Sequence, residues 1–375
     1  MKKESSLEEA KVLISKKDYF MGIIALTKYI CKNKNHYQAF YLRGYAKSKL
    51  GFYFYAIEDF DSALKINPFF ALAYSERGYA KNKVWSYEAS IKDCLKSIKL
   101  EKDSYKSFCI LGDSYRNLSR FSDAITSYDK CLLIKENYAK AFYGKGKTFS
   151  AQNLLVDAER YFKKATELDN ANQKFCFELG KIKEKRLDFS EALIIYNKFL
   201  DNKEINIENK LIYKTRGKLL QELKNFNESI KDYSELIKIN KNDFDALFNR
   251  GINYHNLKEY KKAVLDFSQA IKINKNNSNF YLMRAISNSE LGNDFEAFTD
   301  FKKSIEIDWR NTDAYYYLSN IYPKNDDKLV FIKEGIRVLE LLERNPNWSK
   351  TDYISIFNKN DFLIMINKIM GDFNK

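Results

Sequence analysis

Histidine is almost missing from this chain: His36 and His255 are the two in 375 residues. They lie far apart, and neither has a serine, cysteine or carboxylate at the spacing of a nucleophile–base pair. The glycines never gather into a phosphate-cradling loop; the one close pair, Gly144 and Gly146, reads as mid-helix. No nucleophile elbow, dinucleotide fingerprint or HExxH is present, so no enzyme, cofactor or metal site is expected. Proline is equally scarce, with 3 in all, which excludes proline-rich linkers, and no Gly/Ser tract separates modules. Long apolar runs are missing too. The stretch Phe20–Leu26 is far short of a span, and Glu4, Glu8 and Glu9 interrupt the basic start that a secretory leader would need. Neither secretion nor a membrane partner is expected. Cys31, Cys94, Cys109, Cys131 and Cys176 form no CxxC pair, which favours reduced thiols in a cytoplasmic protein over disulfides.

What the chain does have is a ruler. Gly44, Gly78, Gly112, Gly146 and Gly180 stand 34 residues apart, Gly217 and Gly251 resume that spacing, and Ala285 takes the next position. A fixed period of this length marks stacked supersecondary units. In a 34-residue frame Phe40, Gly44, Ala56, Phe60, Ala63 and Pro68 hold positions 4, 8, 20, 24, 27 and 32 of the first unit. Phe142, Gly146, Phe149, Ala158, Phe162 and Ala165 hold 4, 8, 11, 20, 24 and 27 of the fourth, and Leu247, Gly251, Tyr254, Ala263, Phe267 and Ala270 do so in the seventh. Positions 4, 8 and 11 share one face of a first helix, and 20, 24 and 27 one face of a second. Small residues at 8 and 20 let the two backbones approach, and stacked neighbours complete a core that one hairpin cannot close. No segment alternates as a strand would, so the fold class is all-α.

This pattern resembles the tetratricopeptide repeat (TPR) family. The resemblance implies a right-handed superhelical solenoid of antiparallel helix pairs, with eight repeats over residues 37–311. Residues 1–36 read as a degenerate N-terminal repeat, and 312–375 as a degenerate final repeat followed by capping helices. Tyr315–Tyr322 and Asp327–Leu342 suggest a last hairpin; Trp348–Phe357 and Asp361–Met370 suggest short amphipathic helices, serving as a cap or a dimerisation surface. The one irregular interval, Gly180 to Gly217, is 37 residues, and places an insertion at Asp201–Asn209.

Repetition allows a comparison within the chain. Position 7 is Arg43, Arg77, Arg216, Arg250 and Arg284 in five units, and in the same five position 23 is Asp59, Asp93, Asp232, Asp266 and Asp300. The other three units carry Leu111, Lys145 and Leu179 against Ser127, Tyr161 and Ile195. Residues that come and go together point to a structural contact between guanidinium and carboxylate, within a unit or between neighbours.

Positions 2, 5, 9 and 12 share a different face of the first helix. In the family this chain resembles, that face lines a concave groove which receives extended or helical peptides. In the third to sixth units it carries Lys106, Cys109, Asp113 and Arg116; Lys140, Tyr143, Lys147 and Ser150; Lys174, Phe177, Lys181 and Glu184; and Leu211, Lys214, Lys218 and Gln221. Eight of these sixteen are basic, whereas none of the sixteen in the outer four units is. With 64 Lys+Arg in the chain and a net charge of +14, a solvated lysine-rich face is the competing reading. The expectation is an interaction scaffold or adaptor whose basic residues attract an acidic partner segment. Tyr143 and Phe177 would serve as anchors, with Tyr41, Tyr45, Tyr79 and Phe248 as flatter contacts at the two ends. Single-stranded RNA is the alternative, with phosphates on lysines and bases on aromatic rings. The family's two-carboxylate clamp for chaperone tails is not matched: Lys214, Lys218 and Asn249 fit, but Asn279 and Met283 stand where the last cationic pair belongs.

Overall fold

A computed structural model of the protein describes residues 7–200, 209–308 and 310–321. All secondary structure among them is helical, in nineteen helices. The chain divides into two compact units between Asp201 and Asn202. The first unit holds α1 (Leu7–Ser15), α2 (Tyr19–Lys32), α3 (Tyr37–Lys49), α4 (Tyr53–Ile66), α5 (Ala71–Lys83), α6 (Tyr87–Leu100), α7 (Tyr105–Asn117), α8 (Phe121–Ile134), α9 (Ala139–Ala151), α10 (Leu155–Leu168), α11 (Gln173–Lys185) and α12 (Phe189–Leu200). The second holds α13 (Lys210–Glu222), α14 (Phe226–Ile239), α15 (Phe244–Asn256), α16 (Tyr260–Ile273), α17 (Ser278–Glu290), α18 (Asp294–Ile307) and α19 (Thr312–Ile321). Most of the 201–209 insertion and the C-terminal segments 327–342, 348–357 and 361–370 lie outside the described residues.

Within each unit, helices pair as hairpins, and each second helix packs on the next first helix. Positions 20, 24 and 27 are buried throughout, as in Ala56, Phe60 and Ala63 or Ala158, Phe162 and Ala165. The glycine at position 8 is where the ring at position 24 crosses. A Cβ on Gly112 would fall 2.6 Å from the Tyr128 ring, and one on Gly251 2.6 Å from Phe267. Gly144 serves the same ring from the other side, so Tyr128 is held between glycines of two hairpins. Where position 20 is serine, its hydroxyl donates to the carbonyl of that glycine: Ser90 to Gly78 and Ser229 to Gly217, both at 2.7 Å.

The core is wider than the frame implies. Position 3 (Ala39, Ala73, Ala141, Phe175, Ile212, Phe280) and position 10 (Ala46, Ala80, Thr148, Ile182, Leu219) are buried. Position 4 is only half-buried at Phe40, Tyr74, Phe108 and Phe142. The first helix is packed on two sides, by its own partner and by the preceding hairpin, so one apolar stripe cannot describe it.

The five arginine–aspartate pairs form inside their hairpins. Each guanidinium grips its carboxylate with Nε and Nη2, at 2.8 and 2.6 Å in Arg77–Asp93 and 2.7 and 2.7 Å in Arg284–Asp300. Nη1 then reaches position 25 of the preceding hairpin: Asp61 from Arg77 at 2.5 Å, Ser234 from Arg250 at 3.1 Å and Ser268 from Arg284 at 3.0 Å. In the fourth unit Lys145 makes the same backward tie, to Asp129 at 2.6 Å, and lies over the ring of Tyr161, which holds position 23 of its own hairpin, at 4.4 Å.

Candidate functional site

The first helices of neighbouring hairpins touch one another in the first unit, α1 with α3, α3 with α5, α5 with α7 and α7 with α9. Successive second helices do not approach to that extent, so the first helices line the inner side of this unit. Position 5 lies at the seam between hairpins. Tyr41 packs on Phe60 and Phe70 with ring centroids at 6.0 and 4.9 Å, and Tyr143 on Phe162 and Phe175 at 5.7 and 4.8 Å. In the second unit Phe248 does the same with Phe267 and Phe280, at 5.6 and 4.8 Å. These rings are half-buried and hold repeats together, with one edge left for a ligand. Tyr45 carries Lys49 over its ring at 4.7 Å, Tyr79 carries Lys83 at 5.3 Å and Phe177 carries Lys181 at 5.5 Å. Burial, helped by Tyr53 and Glu76, pushes the Tyr79 phenol up to about 12, so these rings stay neutral. Cys109, also at position 5, is instead buried in the core with Cys131.

The basic positions fall into two groups. Lys106, Lys140, Lys174 and Lys181 are exposed and have no ion-pair partner among the described residues. Lys147 lies 3.8 Å from Glu178, Lys214 2.9 Å from Asp245, and Lys218 3.8 Å from Glu222. Arg116 donates from Nη2 to Asp113 at 3.1 Å, while its Nε is buried with no hydrogen-bond partner among the described residues. Lys214 and Lys218 belong to the second unit; the first unit brings the others together. Lys83 reports their proximity. Burial lowers its pKa, Asp113 opposes the shift, and Lys174, Arg116 and Lys140 lower it further.

Two residues on this face escape the 2, 5, 9, 12 frame: Lys83 at position 13 and Glu76 at position 6. Glu76 is half-buried, and burial raises its pKa against the attraction of Lys49, Lys106 and Lys140. It makes no hydrogen bond or ion pair with any described residue. The 3.6-residue period holds the signal for both, because 2, 6, 9 and 13 form one continuous stripe.

The chemistry-bearing letters elsewhere are occupied structurally. The His36 ring accepts from the Ala39 amide at 3.3 Å, capping α3, and His255 Nδ1 meets Ser287 Oγ at 2.9 Å. Burial lowers the His255 pKa. Residues Gly146, Lys147 and Thr148 spell the end of a phosphate loop, a likeness that reading the glycines alone overlooks. They stand in the middle of α9, where Thr148 is fully buried and donates to the Gly144 carbonyl at 2.8 Å. A helix interior offers no free amides to a phosphate. All five cysteines are free thiols, four of them buried. No group of three or more His, Cys, Asp or Glu is placed to hold a metal among the described residues, and none of the described helices is long and apolar enough to cross a membrane.

Tetratricopeptide repeat family models match residues 244–277, and 105–138 with 212–243. Among solved structures, the C-terminal part of a TPR repeat-containing protein from Cytophaga hutchinsonii is similar at a TM-score of 0.52. It is 20% identical, over 66% of this chain and 99% of that one. PilW, a type IV pilus biogenesis factor, is similar at a TM-score of 0.49 and 18% identity, over 55% of this chain and 95% of that one. YrrB, a TPR protein with an unusual peptide-binding site, aligns at a TM-score of 0.35 and 17% identity, over 60% and 96%. No curated protein matches the chain.

Proposed function

Because this chain is a tetratricopeptide-repeat protein, we propose that it is a non-enzymatic interaction scaffold, an adaptor that takes an acidic segment of a partner protein on the inner face of its first unit. The observation that carries the reading is the set of lysines there that form no ion pair, although Glu76 attracts Lys106 and Lys140 without bonding either. Lys106, Lys140, Lys174 and Lys181 are unpaired, and Arg116 keeps a buried donor unsatisfied. A carboxylate on the ligand would supply that acceptor and offset the repulsion from Lys174, Arg116 and Lys140 that adds to burial in depressing Lys83. Tyr143 and Phe177 on α9 and α11 would anchor the segment, and Tyr41, Tyr45 and Tyr79 would extend the contact along α3 and α5. Lys147, Lys214, Lys218 and Phe248 contribute less, since a carboxylate or a neighbouring ring already occupies each. The buried free thiols suit a reducing compartment such as the cytoplasm.

The test is a pull-down from extract of the source cell with two charge variants of equal helicity. One changes Lys106, Lys140, Lys174 and Lys181 to Gln; the other changes Lys214 and Lys218. Nuclease-resistant proteins lost from the first variant, retained by the second and displaced by polyglutamate are the expected result. Retention of the same partners by all forms would make the face a solvated one and remove the proposal. Capture that disappears with nuclease would transfer the site to single-stranded RNA.

A further inference from the structure

The turn edge of the first unit is built at variance with what the fold needs. Every first-to-second helix turn places one residue in the left-handed region, at position 15 of the frame. Gly51, Gly292 and Asn153 fill that position with residues suited to it, while Lys17, Ser119, Leu187, Lys224 and Lys258 adopt it without that advantage. In the third hairpin, counting from α1, the occupant is Trp85, at φ 64. Its bulk makes the conformation strained, and its indole is 80% exposed, with no ring, cation–π or hydrogen-bond contact among the described residues. A strained backbone position given to an unused, solvated tryptophan gains nothing for folding, which directs attention outside the fold.

Trp85 has company. The turns after α1, α3 and α5 lie at one edge, because those three helices run in parallel and touch in sequence. Phe20 is 65% exposed and Phe54 71%, both in the first turn of a second helix; later hairpins place Ser122, Ser190, Val156 and Phe295 there, so the fold sets no apolar requirement at this position. Lys16, Lys17 and Lys49 are exposed at the same edge. The carboxylates there are Asp18, which accepts from the Met21 amide at the start of α2, and Glu88.

We propose that this edge is a peripheral membrane contact, in which Phe20, Phe54 and Trp85 enter the headgroup region of an anionic lipid bilayer while the lysines meet its phosphates. The apolar side chains stand on three separate turn tips, with Leu50, Phe52 and Tyr55 also exposed around Phe54. A protein partner would need a matching socket for each, whereas a bilayer interface receives isolated aromatic wedges and favours Trp, Phe and Lys together. The lysines select the sign of the surface. The contact requires no spanning helix, so it departs from the expectation of no membrane partner drawn from the lack of long apolar runs, and apart from Lys49, which also lies over Tyr45, it uses none of the inner-face residues.

Vesicle co-sedimentation of the full chain tests this, using phosphatidylcholine with phosphatidylglycerol against phosphatidylcholine alone. The wild type should bind the anionic vesicles. Trp85→Gly with Phe54→Ser should weaken the partition about tenfold or more, since binding scales with the apolar area inserted. Trp85→Gly alone removes the strain and should melt at or above the wild-type temperature, so lost binding cannot be ascribed to unfolding. In a Trp309→Phe, Trp348→Phe background, Trp85 emission should shift to the blue and be quenched by brominated lipid. The proposal is overturned by failure to bind anionic vesicles, or by equal binding of the double variant. It is also overturned by a dimer, seen in sedimentation without lipid, that the double variant abolishes, because the edge would then join two copies of the chain.

Discussion

Removing Asp266 should cost much more than removing both members of its pair. Arg250 holds that carboxylate through Nε and Nη2, both at 2.8 Å, and places Nη1 3.1 Å from Ser234 of the hairpin before. Asp266 is 4% exposed, and the arginine side chain 20%. Breaking a fully buried pair costs about 3–5 kcal/mol, and partial hydration of the guanidinium reduces this to about 2–3 kcal/mol for Asp266→Ala. The chain contains its own apolar solution, because the third unit buries Leu111 and Ser127 at these two positions. Arg250→Leu with Asp266→Ser should therefore lie within about 1 kcal/mol of wild type, since no charge is left stranded. Urea unfolding followed by circular dichroism gives the global value. Amide exchange across α15 and α16 gives the local one, which matters where repeats unfold piecemeal. Equal losses in the single and double variants, or a loss below about 0.5 kcal/mol for Asp266→Ala, would refute the idea that pairing governs these positions.

Three further outcomes follow from the packing. Gly180→Ala should lower stability by about 1–3 kcal/mol, because its Cβ would overlap the Tyr196 ring; Gly217→Ala, whose nearest neighbour would be 3.3 Å away, should be neutral or stabilising through helix propensity. Melting temperatures of the two variants decide the sign. A thiol reagent should titrate exposed Cys31 in the native protein and reach Cys94, Cys109, Cys131 and Cys176 only with denaturant, since they are buried and burial pushes the Cys94 thiol well up. Burial likewise holds the Tyr128, Tyr196 and Tyr233 phenols far above their ordinary value of about 10. Their native state keeps protons that the unfolded chain releases, so the phenol contribution is constant below about pH 10 and stability should fall as pH rises beyond it. Phenolate absorbance and helicity should then change together; tyrosines that ionise with the helices intact would contradict the buried placement.

The hairpins were legible because glycine at position 8 answers to one local demand, close approach of the side chain at position 24, which is a ring at Gly44, Gly112, Gly146, Gly180, Gly217 and Gly251 and the Cys94 sulfur at Gly78. The pairing of position 7 with position 23 was legible for a different reason: five units keep both residues and three lose both. Its extension to position 25 of the preceding hairpin was hidden, because Asp61, Asp129, Ser234 and Ser268 are different residue types answering one donor. The partners of Lys147 and Lys214 were hidden too. Glu178 and Asp245 each lie on the next first helix, and which carboxylate meets which lysine depends on the stacking of hairpins. The left-handed turn position left no signature, since Trp85, Ser119 and Leu187 carry none of the glycine preference that marks such backbone.

Lysine and arginine therefore do two kinds of work in this chain, and burial separates them better than residue type does. At position 7 the cation is enclosed between two helices and is matched, either by the aspartate of its own hairpin or, at Lys145, by the one before. At positions 2, 5 and 9 it stands in solvent, where a carboxylate four residues on or one hairpin away is optional. The second unit takes that option at Lys214 and Lys218. The first unit declines it at Lys106, Lys140, Lys174 and Lys181, and adds an arginine with an unsatisfied donor. A net charge of +14 would arise from either arrangement; only the second leaves positive charge gathered on one surface. On the proposed reading, that concentration puts recognition of an acidic partner on the inner face of the first unit rather than on the basic composition as a whole.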